Sequence, residues 1–301
     1  MTRPLWNRRR FLAHTLSATG IFALNRHLAA AAADKRFPII TFSKPFQNLN
    51  FADTADLLAE VGYDGIECPV RDKGQILPER VEDELPKLHE ALQARQLDLT
   101  LITTDIGSVT PLNEKVLRTA ARLGVKRYRT TTFHYNLAKP IAPQIANLKP
   151  ALRDLAAFNK ELGIKAGLQN HSGYDYIGAP IWDLFEIVRD IDPAHLGVCF
   201  DIGHATAEGG SSWPIEARLM EPFFTCVYVK DFSWKKNEKG WGADWGPLGE
   251  GMVDPKFFSW LRGSSYRGPI SQHCEYLKGG GAKQRAQMKK DLTVLRGWLG
   301  A

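Results

Sequence analysis

The sequence predicts a single (β/α)₈ barrel, and three observations lead to that prediction. From Phe37 onward, eight short apolar or β-branched segments alternate with amphipathic segments. Residues 34–301 have the length of one barrel domain, and no Ser/Pro-rich linker or run of charge divides them. The main alternative is a doubly wound open sheet, and the lack of a glycine-rich phosphate turn after the first strand argues against its nucleotide-binding version.

Each predicted strand is a short apolar run, and a segment with helical spacing or a loop follows it. We expect strands at residues 38–42, 65–70, 98–104, 126–134, 165–171, 195–203, 225–231 and 269–275. We expect helices at residues 51–61, 80–95 and 113–123, a long one that ends near 162, and others at 181–191, 215–223 and 283–299. Val81, Leu85 and Leu88 illustrate the helical spacing. Gly62 and Gly124 supply helix stop signals.

A long insertion follows the seventh predicted strand. Residues 233–254 carry three tryptophans, among them Trp245, and a turn-like run at 247–251 that includes Glu250. A long aromatic loop on the carboxyl side of a barrel favours a cover over the substrate rather than a linker. Because tryptophan rings suit the apolar faces of sugars, we expect Trp245 to contact substrate. We expect the same of Glu250, which lies in the turn of this loop.

The N-terminus carries the pattern of a twin-arginine signal peptide. Arg8, Arg9 and Arg10 precede a modestly apolar segment and a run of alanines that ends before Asp34. The apolar segment is too short and too interrupted to span a bilayer as a helix, which leaves a basic arm or an anchor as the other interpretation. We therefore expect residues 1–33 to be removed and residues 34–301 to be periplasmic or secreted, with no membrane span.

The remaining charge does not suggest a nucleic-acid partner. The full chain has a formal charge of +6, and residues 1–33 contain five arginines and no acids, so residues 34–301 carry only +1. Such a balance offers little electrostatic drive toward DNA or RNA. The four cysteines are far apart in sequence and form no CxxC pair, so we expect buried free thiols: Cys68, Cys199, Cys226 and Cys274.

Polar residues interrupt the apolar strands near their carboxyl ends. Residues two apart in a strand share a face, so Gln169 and His171 form one such pair. The other candidates on these strand ends are Glu67, Asp201, Tyr228 with Lys230, and His273 with Glu275, and His204 follows just beyond the sixth strand. Burying this many polar groups is costly unless they bind one another, a metal or a ligand. The pattern therefore predicts a functional site at the carboxyl edge of the barrel.

Several of these strand ends, taken in order, resemble a known family. The segments are Gly167 to His171, Phe200 to Ala205, Val227 to Asp231, Pro247 to Gly251 and Ile270 to Glu275. Together they resemble the sugar phosphate isomerase/epimerase group of xylose-isomerase-like TIM barrels. The resemblance implies a divalent metal, commonly Mn or Mg, held by Glu, Asp, His and Glu from strands five to eight. It further implies that the two glutamates move a proton at a carbon beside a carbonyl.

The sequence departs from the family at three of these ligand positions. Gln169 stands in place of the first Glu, Tyr228 in place of the His and His273 in place of the second Glu, although a shift of two residues brings Glu275 to that place. Only Asp201 is clearly retained. A site of Gln169, Asp201 and His273 would bind Mg²⁺ weakly and would shift preference toward Zn, Co or Mn. The sequence thus leaves open whether a divalent metal binds. The amide of Gln169 cannot act as a general base.

The leading hypothesis is an exported enzyme that acts on a sugar or sugar derivative by proton abstraction beside a carbonyl. Glu275, His204 and His171 are candidate acid/base groups, and Lys230 is a candidate for stabilising the oxyanion. We expect Glu67 and Tyr228 to bind substrate. Two simpler roles remain open, since His171 could only orient a neighbour and Lys230 could only pair with Glu275 or Asp201.

Two other functions compete with this hypothesis. The missing carboxylates favour a non-catalytic sugar-binding barrel that has lost the metal chemistry. A metal-dependent DNA-repair nuclease on the same barrel fits poorly, because such enzymes use a richer His/Glu set and a basic groove.

Overall fold

Eight parallel strands close into a barrel in the computed structural model, which describes residues 37–238 and 240–300. The ring strands are β1 (Ile39–Phe42), β2 (Gly65–Pro69), β3 (Asp98–Thr103), β4 (Arg127–Arg129), β5 (Lys165–Gln169), β6 (Leu196–Asp201) and β7 (Phe224–Val229), and then, after a hairpin of β8 (Asp231–Asn237) and β9 (Gly240–Gly246), β10 (Ile270–Gln272). Pairing of β10 with both β7 and β1 closes the ring. The predicted (β/α)₈ barrel is confirmed.

The helices surround this ring and follow the predicted order. They are α1 (Phe51–Val61), α2 (Val81–Gln93), α3 (Pro111–Arg122), α4 (Ile141–Leu162), α5 (Ile181–Val188), α6 (Ile202–Gly209), α7 (Trp213–Met220), α8 (Lys256–Gly263) and α9 (Ala282–Leu299). Local chemistry sets several ends. Asn50 accepts a hydrogen bond from the Asp53 backbone N–H at the start of α1, and Gly62 ends that helix in the left-handed region with φ 98°.

The barrel interior is filled by side chains from alternating strand positions. A fully buried cluster is formed by Ile40, Leu101, Cys199, Cys226 and Tyr228. These residues come from four ring strands, and the two that share β7, Cys226 and Tyr228, are two residues apart and so lie on the same face. All four cysteines are free and buried, as the sequence predicted. The interior is therefore a packed core rather than a channel. A ligand would have to bind at the carboxyl end of the ring.

The carboxyl ends of the strands differ from prediction in an informative way. Strands four to eight stop at least two residues earlier than expected, at Arg129, Gln169, Asp201, Val229 and Gln272. The polar residues that follow leave the ladder and turn over the end of the barrel. At the sixth strand the change is abrupt, because α6 begins at Ile202 directly after β6. The predicted helix 215–223 is found as α7, which ends at Met220, and α6 is an additional helix before it.

Contacts between Cα atoms divide the chain into Met1–Phe37 and Pro38–Ala301, and the barrel is the second unit. The predicted signal peptide, residues 1–33, lies outside the described residues. Among the helices of the described part, none has the length and apolar character that a membrane crossing requires.

Candidate active site

A cavity of about 290 Å³ opens at the carboxyl end of the barrel. The residue after β7, the hairpin, the first turn of α6 and the segments after β5 and β10 line it: His171, Ser172, His204, Lys230, Asp231, Trp245, His273, Glu275 and Tyr276. Active sites of this architecture lie at that end of the ring, because the loops after each strand converge there. The cavity is therefore the candidate active site.

Asp201 is the centre of the polar network at the base of this cavity. Its side chain is fully buried at the end of β6, where Oδ1 accepts a hydrogen bond from the His204 backbone N–H at 3.1 Å and so caps α6. Its Oδ2 accepts from Gln169 Nε2 at 2.9 Å. Burial alone would raise the pKa of Asp201, but the charge of Lys230, the His273 imidazole and the His204 backbone N–H outweigh it and hold that pKa well below its usual range. Asp201 is thus ionised.

Lys230 supplies the positive charge that Asp201 faces. Its Nζ lies 3.0 Å from Asp201 Oδ2 and 3.8 Å from Glu275 Oε2, and the residue is only 8% exposed. The ring of Trp245 lies over this ammonium, with its centroid 4.8 Å from Nζ, which adds a cation–π contact. The simpler role considered for Lys230, pairing with Asp201 or Glu275, is present. Because Lys230 also lines the cavity, the pairing does not exclude contact with a ligand.

Glu67 lies deeper in the barrel, and four side chains hold it. Its Oε1 accepts from Thr103 Oγ1 and from the Tyr228 hydroxyl at 2.8 Å, while Oε2 accepts from Ser271 Oγ at 2.6 Å and from His273 Nε2 at 3.0 Å. Burial would raise the pKa of Glu67, but the His273 charge and these donors lower it to about 2. An ionised, fully buried Glu67 therefore anchors the floor below the cavity.

His273 connects this floor to the cavity. The ionised Glu67 can only accept, so His273 Nε2 carries the hydrogen of their contact. Burial would lower the pKa of His273, but the charge of Glu67 and the nearby Glu275 raise it. The other ring nitrogen, Nδ1, is buried, has no hydrogen-bond partner among the described residues and lies 3.7 Å from Glu275 Oε2. His273 thus presents a second donor beside Lys230.

Two further histidines form one wall of the cavity. The rings of His171 and His204 lie 3.9 Å apart, and Tyr176 stacks on the other side of His171 at 4.3 Å. Burial lowers the pKa of His171 to about 4, and it lowers the pKa of His204 well below its usual value. The charge of Lys230 adds to both shifts. Both rings are therefore neutral at pH 7 and can accept a proton.

The tautomer of His171 follows from its contact with Ser172. His171 Nδ1 lies 2.8 Å from the Ser172 carbonyl oxygen, which can only accept, so Nδ1 carries the hydrogen and Nε2 carries the lone pair. His204 Nδ1 contacts Ser172 Oγ at 2.7 Å, a contact that suits either tautomer. Its Nε2 is buried without a hydrogen-bond partner in the described part of the chain.

Glu275 lies at the edge of the cavity between two lysines. Lys44 Nζ contacts its Oε1 at 2.7 Å from the outside, and Lys230 and His273 flank its Oε2 from within. Burial would raise the pKa of Glu275, but His273 and the two lysines lower it far below its usual range. Glu275 is therefore ionised near neutral pH and is a counter-ion for these groups.

The long aromatic insertion forms the β8–β9 hairpin, and Asp231 holds its base. Asp231 is buried, and its carboxylate accepts hydrogen bonds from the backbone N–H groups of Phe232, Gly249, Gly251 and Val253. The hairpin brings Trp245 against His204, with ring centroids 4.9 Å apart. One buried carboxylate thus fixes the segment that closes one side of the cavity.

The structure brings together most of the side chains that the sequence singled out. Seven of them line the cavity or contact its lining: Gln169, Asp201, His171, His204, Lys230, His273 and Glu275, with Trp245 as the cover. Three residues that the sequence predicts to bind substrate do not line the cavity. Glu67 and Tyr228 are fully buried below the cavity and bind each other, and Glu250 is exposed in the turn after β9, outside the cavity lining.

Sequence reasoning missed several members of the site. Arg129 is only 7% exposed at the end of β4 and donates from Nη1 to Gln169 Oε1 at 2.6 Å, while its Nε has no partner within the described residues. An arginine closing a buried strand was a usable signal, since a buried charge requires a partner. Ser172 and Tyr276 follow the ends of strands and carried no comparable signal.

The side chains do not suit a divalent metal held by Gln169, Asp201 and His273. Gln169 Oε1 is engaged by Arg129, and Asp201 Oδ2 by Lys230. Two like unit charges 4 Å apart repel by about 4 kcal/mol at an effective dielectric constant near 20, so a divalent ion beside the ammonium would meet a large penalty. Across residues 37–238 and 240–300, no three His, Cys, Asp or Glu side chains are grouped to hold a metal ion.

This chain is similar to known proteins in both sequence and fold. The profile of the family described as "Xylose isomerase-like TIM barrel" matches residues 55–298. Uncharacterized protein MJ1311 of Methanocaldococcus jannaschii is 38% identical over 146 residues, which cover 48% of each chain. The chain therefore spans about half the length of the curated relative it matches.

Solved structures share the fold at low identity. The IOLI protein, solved with a bound zinc atom, has a TM-score of 0.70 and 18% identity, and the alignment covers 88% of this chain and 100% of that one. The 3-keto-D-glucoside 4-epimerase of E. coli has a TM-score of 0.67 and 16% identity, with coverage of 87% and 100%. At these identities the similarity is one of fold.

Proposed function

Since this chain belongs to the xylose isomerase-like TIM barrel family, we propose that it is a carbohydrate-directed enzyme that removes a proton from a carbon beside a carbonyl. One observation carries the proposal: neutral imidazoles and the Lys230 ammonium border the same cavity, under a tryptophan cover. A proton acceptor and a fixed positive charge are the two groups that this reaction requires.

His171 is the proposed proton acceptor. Its Nε2 takes the proton, the C–H electron pair forms a carbon–carbon double bond, and the carbonyl π pair moves onto oxygen. A pKa of about 4 makes this imidazole as basic as a carboxylate, the group that relatives of this type are expected to use. His204 lies against it and is the second candidate for returning a proton.

Lys230 and His273 are the proposed groups that stabilise the resulting oxygen anion. Asp201 and Glu275 orient the ammonium, and Glu67 orients the imidazole so that Nδ1 remains available. Reprotonation on the other face of the carbon gives epimerisation, and reprotonation at the neighbouring carbon gives isomerisation. Loss of a β-hydroxyl gives elimination. All three outcomes share the first step.

The proposed substrate is a free sugar or an oxidised sugar derivative. Trp245 offers an aromatic face at the cavity, which suits the apolar face of a sugar ring. A structural neighbour acts, by its name, on a 3-keto-D-glucoside, and this makes keto-sugars a reasonable starting panel. We further propose that the chain is exported through its twin-arginine signal, which places the reaction in the periplasm or outside the cell.

The first step can be measured directly by incubating the protein with a panel of keto-sugars in D₂O and following deuterium incorporation by NMR. We expect exchange at the carbon beside the carbonyl. His171→Gln should reduce its rate by about 10²-fold or more. The matched control is His134→Gln, because His134 packs on the same Tyr176 ring at 4.2 Å but lies outside the cavity lining.

The pH profile adds a second readout. Protonation of His171 removes the acceptor, so the exchange rate should be retained above pH 5 and fall as the pH drops through about 4. Exchange in the His171→Gln protein at the wild-type rate would disprove this assignment. The absence of exchange with every member of the panel would contradict the proposed enzymatic function.

A non-catalytic sugar-binding barrel is the second candidate. It is favoured by the saturation of Asp201, whose two oxygens already accept from Gln169, Lys230 and the His204 backbone. Calorimetric binding of a sugar without deuterium exchange would support this candidate.

A further inference from the structure

We propose that Lys230 takes the position and the electrostatic role of a divalent metal, so that this site works without one. The inference rests on the proposed function, because the charge to be stabilised is that of the oxygen anion. It goes further in stating that the positive charge is built into the chain and that metal binding at this point is excluded by it.

The first argument is the position of the ammonium. Nζ lies between Asp201, fully buried on β6, and Glu275, which follows β10, at 3.0 and 3.8 Å from one oxygen of each. Two carboxylates on strands that flank β7 are the pair that a hard divalent cation would bridge, at oxygen distances of about 2.0–2.6 Å. A metal bonded to both oxygens would overlap the space that Nζ holds.

The second argument is that the other ligand-type side chains are committed elsewhere. Gln169 turns its Oε1 toward Arg129 and its Nε2 toward Asp201, so the amide presents a donor, not an acceptor, to the centre of the site. The Tyr228 hydroxyl and His273 Nε2 both donate to Glu67. Each side chain at a position that could have held a metal thus contacts another residue of the chain.

The third argument is the set of donors left over. An ammonium has three N–H groups, and among the described residues the carboxylate contact within hydrogen-bond distance of Nζ is the one to Asp201 at 3.0 Å, since Glu275 lies at 3.8 Å. His273 lines the same cavity, and its Nδ1 is buried without a hydrogen-bond partner among the described residues. Lys230 and His273 can therefore bind one substrate oxygen from two sides, which is the task a metal would otherwise perform.

The test measures metal binding and not turnover. The full-length protein is dialysed against EDTA, analysed for metal content and titrated calorimetrically with MnCl₂ and with ZnCl₂. We expect wild-type protein to show no stoichiometric Mn²⁺ or Zn²⁺ at this site and no rise in Tm when either ion is added. Lys230→Ala removes the ammonium and should bind Mn²⁺ about tenfold more tightly, or better, than the control variant.

Lys44→Ala is the matched control. It removes the same charge from the neighbourhood of Glu275, but Lys44 contacts Oε1 from the exposed side and leaves the space between Asp201 and Glu275 filled by Lys230. A gain confined to Lys230→Ala supports the proposal, whereas equal affinities in the two folded variants overturn it.

Wild-type protein decides the question if Lys230→Ala does not fold. If the wild type binds one equivalent of Mn²⁺ or Zn²⁺ and Asp201→Asn loses it, the proposal is overturned. If the wild type binds neither ion at this site, the proposal is supported. Because neither readout requires a substrate, a failure of the exchange experiment leaves this result intact, and metal binding by an active enzyme refutes only the role of Lys230.

Discussion

Glu67 shows how a single buried charge organises the floor of the site. Nothing in its immediate sequence marks its partners, because Thr103, Tyr228 and Ser271 come from three other strands. Together with His273 they leave both carboxylate oxygens fully bonded. A buried carboxylate with this many donors prefers the ionised form even though burial disfavours charge.

The stability of the protein should therefore depend on the ionisation of Glu67. Its pKa is about 2 in the folded protein against 4.5 as the ordinary value, so the stabilisation is complete above pH 4.5 and is lost as the pH falls toward 2. The linkage corresponds to about 3 kcal/mol. Urea unfolding of wild type and Glu67→Gln at pH 6 and pH 3 measures it, and the two proteins should differ less at the lower pH.

Surface carboxylates offer the control for that experiment. Glu60 pairs with Arg285 and Lys289 in an exposed position, so Glu60→Gln should have a much smaller effect. A difference between wild type and Glu67→Gln that is the same at both pH values would contradict the linkage.

At the same scale, the sequence identified most of the polar side chains of the cavity but not their partners. His171, His204, Lys230 and Glu275 were singled out because polar residues at strand ends require an explanation, and all four line the cavity. Pairing was beyond reach, because Arg129 and Gln169 lie 40 residues apart and meet only when β4 and β5 align.

Among the elements, α6 does most to shape the cavity. It begins directly after β6, with Asp201 as its N-cap, and its first turn carries Gly203 and His204. An Asp that ends a strand is a common helix start, and this signal was available in the sequence. The prediction extended the strand to Gly203 instead, so His204 was expected in a loop and is found in a helix.

Gly203 permits the close approach of α6 to β7 and the hairpin. A Cβ at this position would lie 2.8 Å from both Cγ and the backbone oxygen of Lys230, and 3.2 Å from Trp245. Since a backbone oxygen cannot rotate away, Gly203→Ala should force Lys230 and Trp245 away from α6. We expect it to destabilise the protein by about 1–3 kcal/mol, measured by urea unfolding.

Gly297→Ala is the matched control, because Gly297 lies inside α9 and a Cβ there would meet nothing within 4 Å. It should stabilise the protein by about 0.5–1 kcal/mol through helix propensity. Equal and small effects of the two substitutions would show that the close approach at Gly203 is not under strain.

For the molecule as a whole, closure of the ring brings the two ends of the barrel sequence together. β1 pairs with β10, and Arg285 and Arg296 of α9 reach Glu60 and the Gly62 carbonyl at the end of α1. The compact unit of Pro38–Ala301 contains all of these contacts. We therefore expect residues 34–301 to fold without residues 1–33.

Export can be tested on that basis. We expect protein recovered from the periplasm to have the mass of residues 34–301, and replacement of Arg8, Arg9 and Arg10 by lysine to block its export. A chain that starts at Asp34 should unfold in urea with the same midpoint and slope as the full chain. Unprocessed protein in the periplasm, or a lower midpoint for the shorter chain, would contradict these expectations.

The sequence by itself determined the barrel, the order of its elements, the buried free thiols and the edge at which the polar groups collect. These follow from local patterns, because the period of apolar residues, the helix stops and the strand lengths all act within a few residues. Only the tertiary structure decided which of those groups contact one another: that Glu67 and Tyr228 lie below the cavity, that Arg129 holds Gln169, and that Lys230 lies between Asp201 and Glu275. The physical reason is that contacts between side chains on different strands depend on the register and closure of the whole ring, which no local pattern specifies.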